Sequence, residues 1–288
     1  MANIYLDTEF LEGTQKTFFG KTTKPTIDLI SIGLVDQNGR EYYAISNEFN
    51  LREAWDRWDK VPCCNMPSMC ISKIEGHCEG FKRDYWIREN VLRPIYDELL
   101  QKETYARRNH WQLIEPFSYK SLKTLIRWNG KTNIQIANEI CEFIYGPSES
   151  LSGESALEEA RKYEISDKSK IPVFYAYFGS YDWVAFCWLF GKMIDLPKGF
   201  PMYCKDLKQI YDKAIDHLWF VIHVKNGDNR LQYGQESNNN FIDKICESKE
   251  DLSQTIRNAK DYPKQTNEHN ALADAKFNLA LHEYLKKL

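Results

Sequence analysis

Ile4-Tyr5-Leu6-Asp7-Thr8-Glu9-Phe10 decides the fold. Apolar residues alternate up to Asp7, which is the pattern of a strand, here over residues 3–7. Asp7 and Glu9 stand two apart on an extended backbone, so both carboxylates leave the same face. Crowded carboxylates are unfavourable unless a cation lies between them. Such pairs are also common as solvated surface acids, but this one ends an apolar strand expected to be central.

Working outward, residues 27–35 are strongly β-like, Asp36-Gln37-Asn38-Gly39 is a turn, and residues 41–46 return as a third strand. The first three strands are therefore expected to form an antiparallel meander. Residues 11–25, rich in Gly, Thr and Lys, read as a loop. Helical periodicity resumes at Asp84, with Trp86, Val91, Leu92, Ile95, Leu99 and Leu100 as its apolar stripe, and Pro94 is placed to kink that helix. A further helix is expected over 132–145, and residues 147–170 form a polar connection. Residues 171–177 read as a buried strand, residues 182–193 as a helix and 205–213 as a short helix. The last helix is expected to start at or just after His269 and run through Leu285.

Two stretches fit this scheme poorly and read as insertions, 47–83 and 214–262. In the second, Trp219-Phe220-Val221-Ile222-His223-Val224 is strand-like. The first contains Cys63, Cys64, Cys70 and Cys78 with His77, which raises a structural zinc site, although the usual paired Cys-x-x-Cys spacing is missing. The chain is otherwise expected to be one α/β domain, a mixed sheet of about five strands flanked by helices.

The composition of the 288 residues is that of a soluble protein, with 43% hydrophobic and 27% charged residues. No apolar run reaches membrane-spanning length. No basic leader precedes an apolar stretch, so no signal peptide is expected and the eight cysteines read as reduced thiols of a cytoplasmic protein. A net charge of −3 lacks the broad basic footprint of a protein that coats nucleic acid. Lys120, Lys123, Arg127 and Lys131, with Lys205 and Lys208 elsewhere, read first as solvated charge and second as phosphate contacts.

Three further residues complete a pattern. Asp182 follows the aromatic run Tyr177-Phe178-Gly179-Ser180-Tyr181 at a helix start, where an N-cap and a metal ligand are both open readings. His269 precedes Asp274 by five residues, about 500° of helical rotation. The two share a site only if His269 lies on the loop entering the helix. Four convergent carboxylates would form an oxygen-rich cage for two divalent cations, with a histidine beside them to take a proton from water.

The order Asp-x-Glu, Tyr-Asp, His-x-Ala-x-x-Asp resembles the DEDD exonucleases of ribonuclease H-like fold, in their histidine-type branch. Ser31-Ile32-Gly33-Leu34-Val35, Tyr43-Ala44-Ile45, Ala176-Tyr177-Phe178-Gly179-Ser180-Tyr181-Asp182 and Lys205-Asp206-Leu207 narrow the likeness to the small mycobacterial-type 3′–5′ exoribonucleases. It covers residues 1–46, 84–145, 171–213 and 264–288. Phe178 stands where many members of the wider branch carry asparagine. The resemblance implies a hydrolase that acts on the 3′ end of RNA and releases nucleoside 5′-monophosphates with two Mg2+ or Mn2+ ions. Asp7 would bridge both ions, Glu9 and Asp274 would hold the one that activates water, and Asp182 the other. His269 would be the general base, and Thr8, Phe10, Phe178 and Tyr181 would contact the nucleotide. It also implies a homodimer. A DNA exonuclease of the same fold and an inactive nucleic-acid-binding domain are the competing readings.

Overall fold

The computed structural model describes residues 2–16, 22–63, 81–106, 116–146, 171–222 and 248–288. Strand β1 (Asn3–Lys16) pairs antiparallel with β2 (Thr22–Asp36), which pairs antiparallel with β3 (Glu41–Ile45). On its other side β1 pairs in parallel with β6 (Val173–Ala176), which pairs in parallel with β7 (Lys205–Asp206). The result is a five-stranded mixed sheet in the order β3-β2-β1-β6-β7. Fold class and antiparallel start are as the sequence predicts, and the order is that of a ribonuclease H-like sheet.

The predicted loop over 11–25 is strand over its described residues, 11–16 and 22–25. Leu11 is fully buried, and β1 and β2 stay paired from Leu11↔Asp28 out to Lys16↔Thr22, so most of that stretch is two strand arms. Register slips where Glu9 pairs with Ser31 and Phe10 with Leu29, leaving Ile30 as the extra residue of a β-bulge. Such bulges re-aim side chains beside functional sites.

Helices cover both sheet faces. Ile4 and Leu6 pack with Ile32, Leu34, Phe174 and Phe186 in one core, under α4 (Asn133–Tyr145) and α5 (Ser180–Leu189). The alternate residues Tyr5, Asp7 and Glu9 face the other way, toward α8 (Ala271–Leu285). A second core joins Leu11, Ile30 and Ile45 to α1 (Leu51–Asp56), α2 (Arg93–Ala106) and α3 (Tyr119–Asn129). A π-helical turn over Arg88–Leu92 leads into α2 immediately before Pro94, whose missing N–H explains the irregularity. Helix α3 was not foreseen. It starts at a capping box in which Ser118 and Ser121 exchange bonds, and α4 starts the same way at Thr132 and Gln135.

Residues 219–224 are not a strand as far as they are described. Helix α6 (Leu207–Phe220) runs through Trp219 and Phe220. Tyr211, Ile215, Leu218 and Ile222 recur at helical spacing and pack against α7 (Lys249–Arg257) and α8, so tertiary burial overrides local β-propensity. The helix expected at 205–213 is thus longer and follows a two-residue strand. The ribbon of β4 (Asp59–Pro62) and β5 (Phe81–Asp84) lies within 47–83. Cys64, Cys70, His77 and Cys78 lie outside the described residues, as does the whole of 147–170. Among the described residues, no helix is long and apolar enough to cross a membrane.

Candidate metal and nucleotide site

β1 loses its β6 partner after Tyr5↔Tyr175, and the strands part there. Groups that a strand would have paired are taken by side chains instead. The Leu6 carbonyl accepts from Asn278 Nδ2 at 3.0 Å, and the Thr8 N–H donates to Asp182 Oδ1 at 2.9 Å. A cleft of this kind, at the carboxyl ends of parallel strands, is the common location for ligands in open α/β sheets.

Helix α8 carries Asp274, Asn278 and His282 at intervals of four, one stripe against the sheet. Asn278 anchors to Leu6, and the His282 ring nitrogen Nδ1 lies 2.7 Å from the buried Tyr5 hydroxyl. Both anchors lie beneath Asp274 and bring it to the sheet. Gly33, the register partner of Asp7, permits the approach: a Cβ there would lie 2.3 Å from the Ala271 carbonyl oxygen.

Asp7, Glu9 and Asp274 consequently offer carboxylate oxygens within 4.8 Å of one another. Asp182 stands beside this trio, in the first turn of α5. It does not act as the N-cap, a position held by Gly179. Its Oδ1 accepts from the Thr8 hydroxyl at 2.7 Å as well as from the Thr8 amide, so both Thr8 donors serve to fix it. Asp274 is fixed likewise, accepting from Gln265 Nε2 at 2.6 Å and from the His269 amide at 3.0 Å.

Burial raises all four acids, and repulsion within the cluster adds to it at Asp7 and Glu9. Asp7 is pushed well above the usual carboxylate range, by desolvation first and then by Asp182, Asp274 and Glu9. Glu9 is pushed up to about 8 by burial and by Asp274 and Asp182. Burial raises Asp182 to about 6 against the opposing hydrogen bonds from Thr8. Asp274 is also raised by burial, despite Gln265 and the His269 amide. Among the described residues no lysine or arginine forms an ion pair with any of the four. A half-buried to buried acidic trio without an organic counter-charge fits divalent cations held by oxygen.

His269 lies on the loop before α8, with φ 66°, and not on the helix. The left-handed backbone is uncommon outside glycine, although histidine is one of the residues that tolerate it best. It is held by the bond to Asp274 and by the Trp86 ring, whose centroid lies 4.7 Å from the imidazole in an edge-on arrangement. Asn270 then caps α8, accepting from the Ala273 amide and donating to Glu98.

The aromatic residues gather at the mouth. Phe10 and Tyr181 rings lie 5.5 Å apart, and Tyr181 is half exposed. Phe178 adopts φ 53° and is 62% exposed, an unusual outlay for a large apolar ring, with Lys208 Nζ 5.9 Å from its centre. Gly179 makes the turn possible, since a Cβ there would meet the Ala176 Cβ at 2.6 Å. Lys131 pairs with Glu139 on another element, whereas Lys120, Lys123 and Arg127 are exposed on α3.

Sequence reasoning gave no site role to Gln265, Gly33 or Asn278, and it read Trp86 as part of the apolar helix stripe, whereas Trp86 is 41% exposed and lies against His269. A glycine inside a β-run was the one available sign; Gln265 and Asn278 carry no local signature.

No family model matches the chain. The chain is 25% identical over 208 residues to a 3′-5′ exoribonuclease of Mycobacterium tuberculosis strain CDC 1551 / Oshkosh, spanning 72% of this chain and 73% of that protein. The 3′-5′ exoribonuclease of strain H37Rv is similar to the same extent.

Proposed function

We propose that the chain is a divalent-metal-dependent 3′–5′ exoribonuclease that releases nucleoside 5′-monophosphates. The observation that carries this reading is the meeting of Asp7, Glu9 and Asp274 within 4.8 Å, with Asp182 clamped beside them by Thr8. The names of the mycobacterial relatives support a nuclease and an RNA substrate.

On this reading Asp7, Glu9, Asp182 and Asp274 would hold two Mg2+ or Mn2+ ions. Such ions, when bound, stabilise the incoming and leaving oxygens of an in-line displacement. His269 takes the proton from the attacking water as a new P–O bond forms; the bond from phosphorus to the 3′ oxygen of the penultimate nucleotide breaks. Trp86 and the Asp274 bond hold the imidazole and its backbone for that transfer. Phe10, Tyr181 and Phe178 stack on the terminal bases, and Thr8 forms the floor beside the 3′ nucleotide while it fixes Asp182. We further infer one nuclease domain carrying insertions at 47–83 and 214–262, the latter beginning as a continuation of α6, and a homodimer that sedimentation would reveal.

RNA labelled at its 5′ end, incubated with magnesium, is expected to shorten stepwise from the 3′ end, with 5′-mononucleotides as product. Matched DNA should be cut more slowly if the 2′-hydroxyl is read. Internal cuts would overturn the reading, as would cleavage that survives both Asp7→Asn and His269→Ala.

A further inference from the structure

The β4–β5 ribbon has two chemically different faces. Directly opposed residues of an antiparallel pair share a face, and successive residues alternate. The register Lys60↔Arg83 and Pro62↔Phe81 therefore groups Lys60, Arg83 and Phe81 on one side. Asp59↔Asp84 and Val61↔Lys82 put both acids and the third cation on the other. On the first side each cation lies against a ring. Lys60 Nζ is 3.8 Å from the Phe81 centroid, and the Arg83 guanidinium is 4.6 Å from that of Trp58. Lys60 and Arg83 are exposed, Trp58 is 40% exposed, and no carboxylate among the described residues pairs with either cation. The neighbouring Arg57 and Arg52 differ, since Glu53 and Asp56 neutralise them.

This face lies close along the chain to the candidate site. Arg83 precedes by three residues, at most about 10 Å of extended chain, the Trp86 whose ring meets His269 at 4.7 Å. Cations interleaved with rings match the alternation of phosphate and base along a single strand.

We propose that the Trp58–Lys60–Phe81–Arg83 face binds the single-stranded RNA behind the 3′-terminal nucleotides, with the cations on phosphates and the rings against bases. The proposal rests on the exoribonuclease reading and deepens it: the ribbon makes the enzyme prefer long strands to dinucleotides. Face specificity separates this role from general attraction, because Lys82 carries the same charge on the opposite side.

The test compares the wild-type chain with Lys60→Ala/Arg83→Ala and with Lys82→Ala, all checked for unchanged melting temperature. In EDTA, binding of a fluorescent single-stranded RNA is read by anisotropy over a salt series. The double variant is expected to bind about tenfold more weakly, with a salt slope reduced by about 1.4 for two lost phosphate contacts, while Lys82→Ala stays within about twofold of wild type. With magnesium, the double variant should raise KM for a long RNA and leave dinucleotide cleavage unchanged. Equal losses in both variants, or wild-type affinity in the double variant, overturn the proposal. So does a change of oligomeric state with RNA affinity intact, which would make the ribbon an interface between copies. If no variant, wild type included, cleaves RNA, the exoribonuclease reading fails on its own, and the anisotropy result still decides the ribbon.

Discussion

Gly33 and Ala271 approach so closely that a methyl group on Gly33 would lie 2.3 Å from the Ala271 carbonyl oxygen. Because Gly33 pairs with Asp7 and Ala271 opens α8, this one approach sets how near Asp274 comes to the strand. Gly33→Ala should push the helix outward, costing about 1–3 kcal/mol in stability from overpacking. Activity is expected to fall by more than the stability loss alone would cause, as read by assaying the folded fraction. Full activity in a destabilised variant would separate the contact from the site.

Thr8 supplies two hydrogen bonds to Asp182, of which only the hydroxyl bond is removable by mutation. Thr8→Val keeps shape and leaves the buried carboxylate short of one donor. The loss should weaken divalent-metal affinity by about 10–100-fold, the usual effect of deleting a group that orients a ligand. Calorimetric titration with manganese measures it directly.

Glu9, raised to about 8 from the ordinary value of 4.5, predicts a pH dependence of stability without metal. Below pH 4.5 the group is protonated both folded and unfolded. Between 4.5 and 8 the folded chain holds a proton that the unfolded chain has released, so stability falls as pH rises through that window. Asp182, raised from 3.8 to about 6, acts in the same direction over its own range. Melting in EDTA should therefore weaken from pH 5 to pH 8, magnesium should restore more at pH 8, and Glu9→Gln should flatten the metal-free profile. A metal-free melting temperature that climbs steadily from pH 5 to pH 8 would contradict this account.

Trp86 meets the His269 ring edge-on and is 41% exposed, outside the buried cores. On the proposed reading Trp86→Ala loosens the proton acceptor, and kcat should drop about tenfold or more with KM little altered. Trp86→Phe should recover part of the rate. A shift in the pH-rate profile, which a purely structural loss would not produce, is the diagnostic readout.

The strand that delivers Asp7 and the meander that follows are legible because alternation, a turn signal and β-branched runs act locally. The placing of His269 on a loop follows from its spacing to Asp274. The arms over 11–25 were hidden because their pairing is with each other, and their composition alone suggests a loop. Residues 219–222 misled in the opposite sense: bulky aromatic and β-branched side chains favour strands, yet Trp219 and Ile222 pack beside α7 and α8 from a helix while Phe220 stays exposed. Gln265 and Trp86 were illegible for a different reason, since their contacts exist only once distant segments have met.

The bond from Asn278 to the Leu6 carbonyl spans 272 positions of sequence. Closing so long a loop costs entropy that no local contact repays, and high contact order slows folding. The acidic centre is consequently an all-or-none property of the native topology. Partly folded species holding the meander alone would have Asp7 and Glu9 but lack Asp182 and Asp274, and on the proposed reading could not cut RNA. Divalent ions should then slow unfolding much more than they speed refolding, a kinetic asymmetry visible in the two arms of a chevron plot.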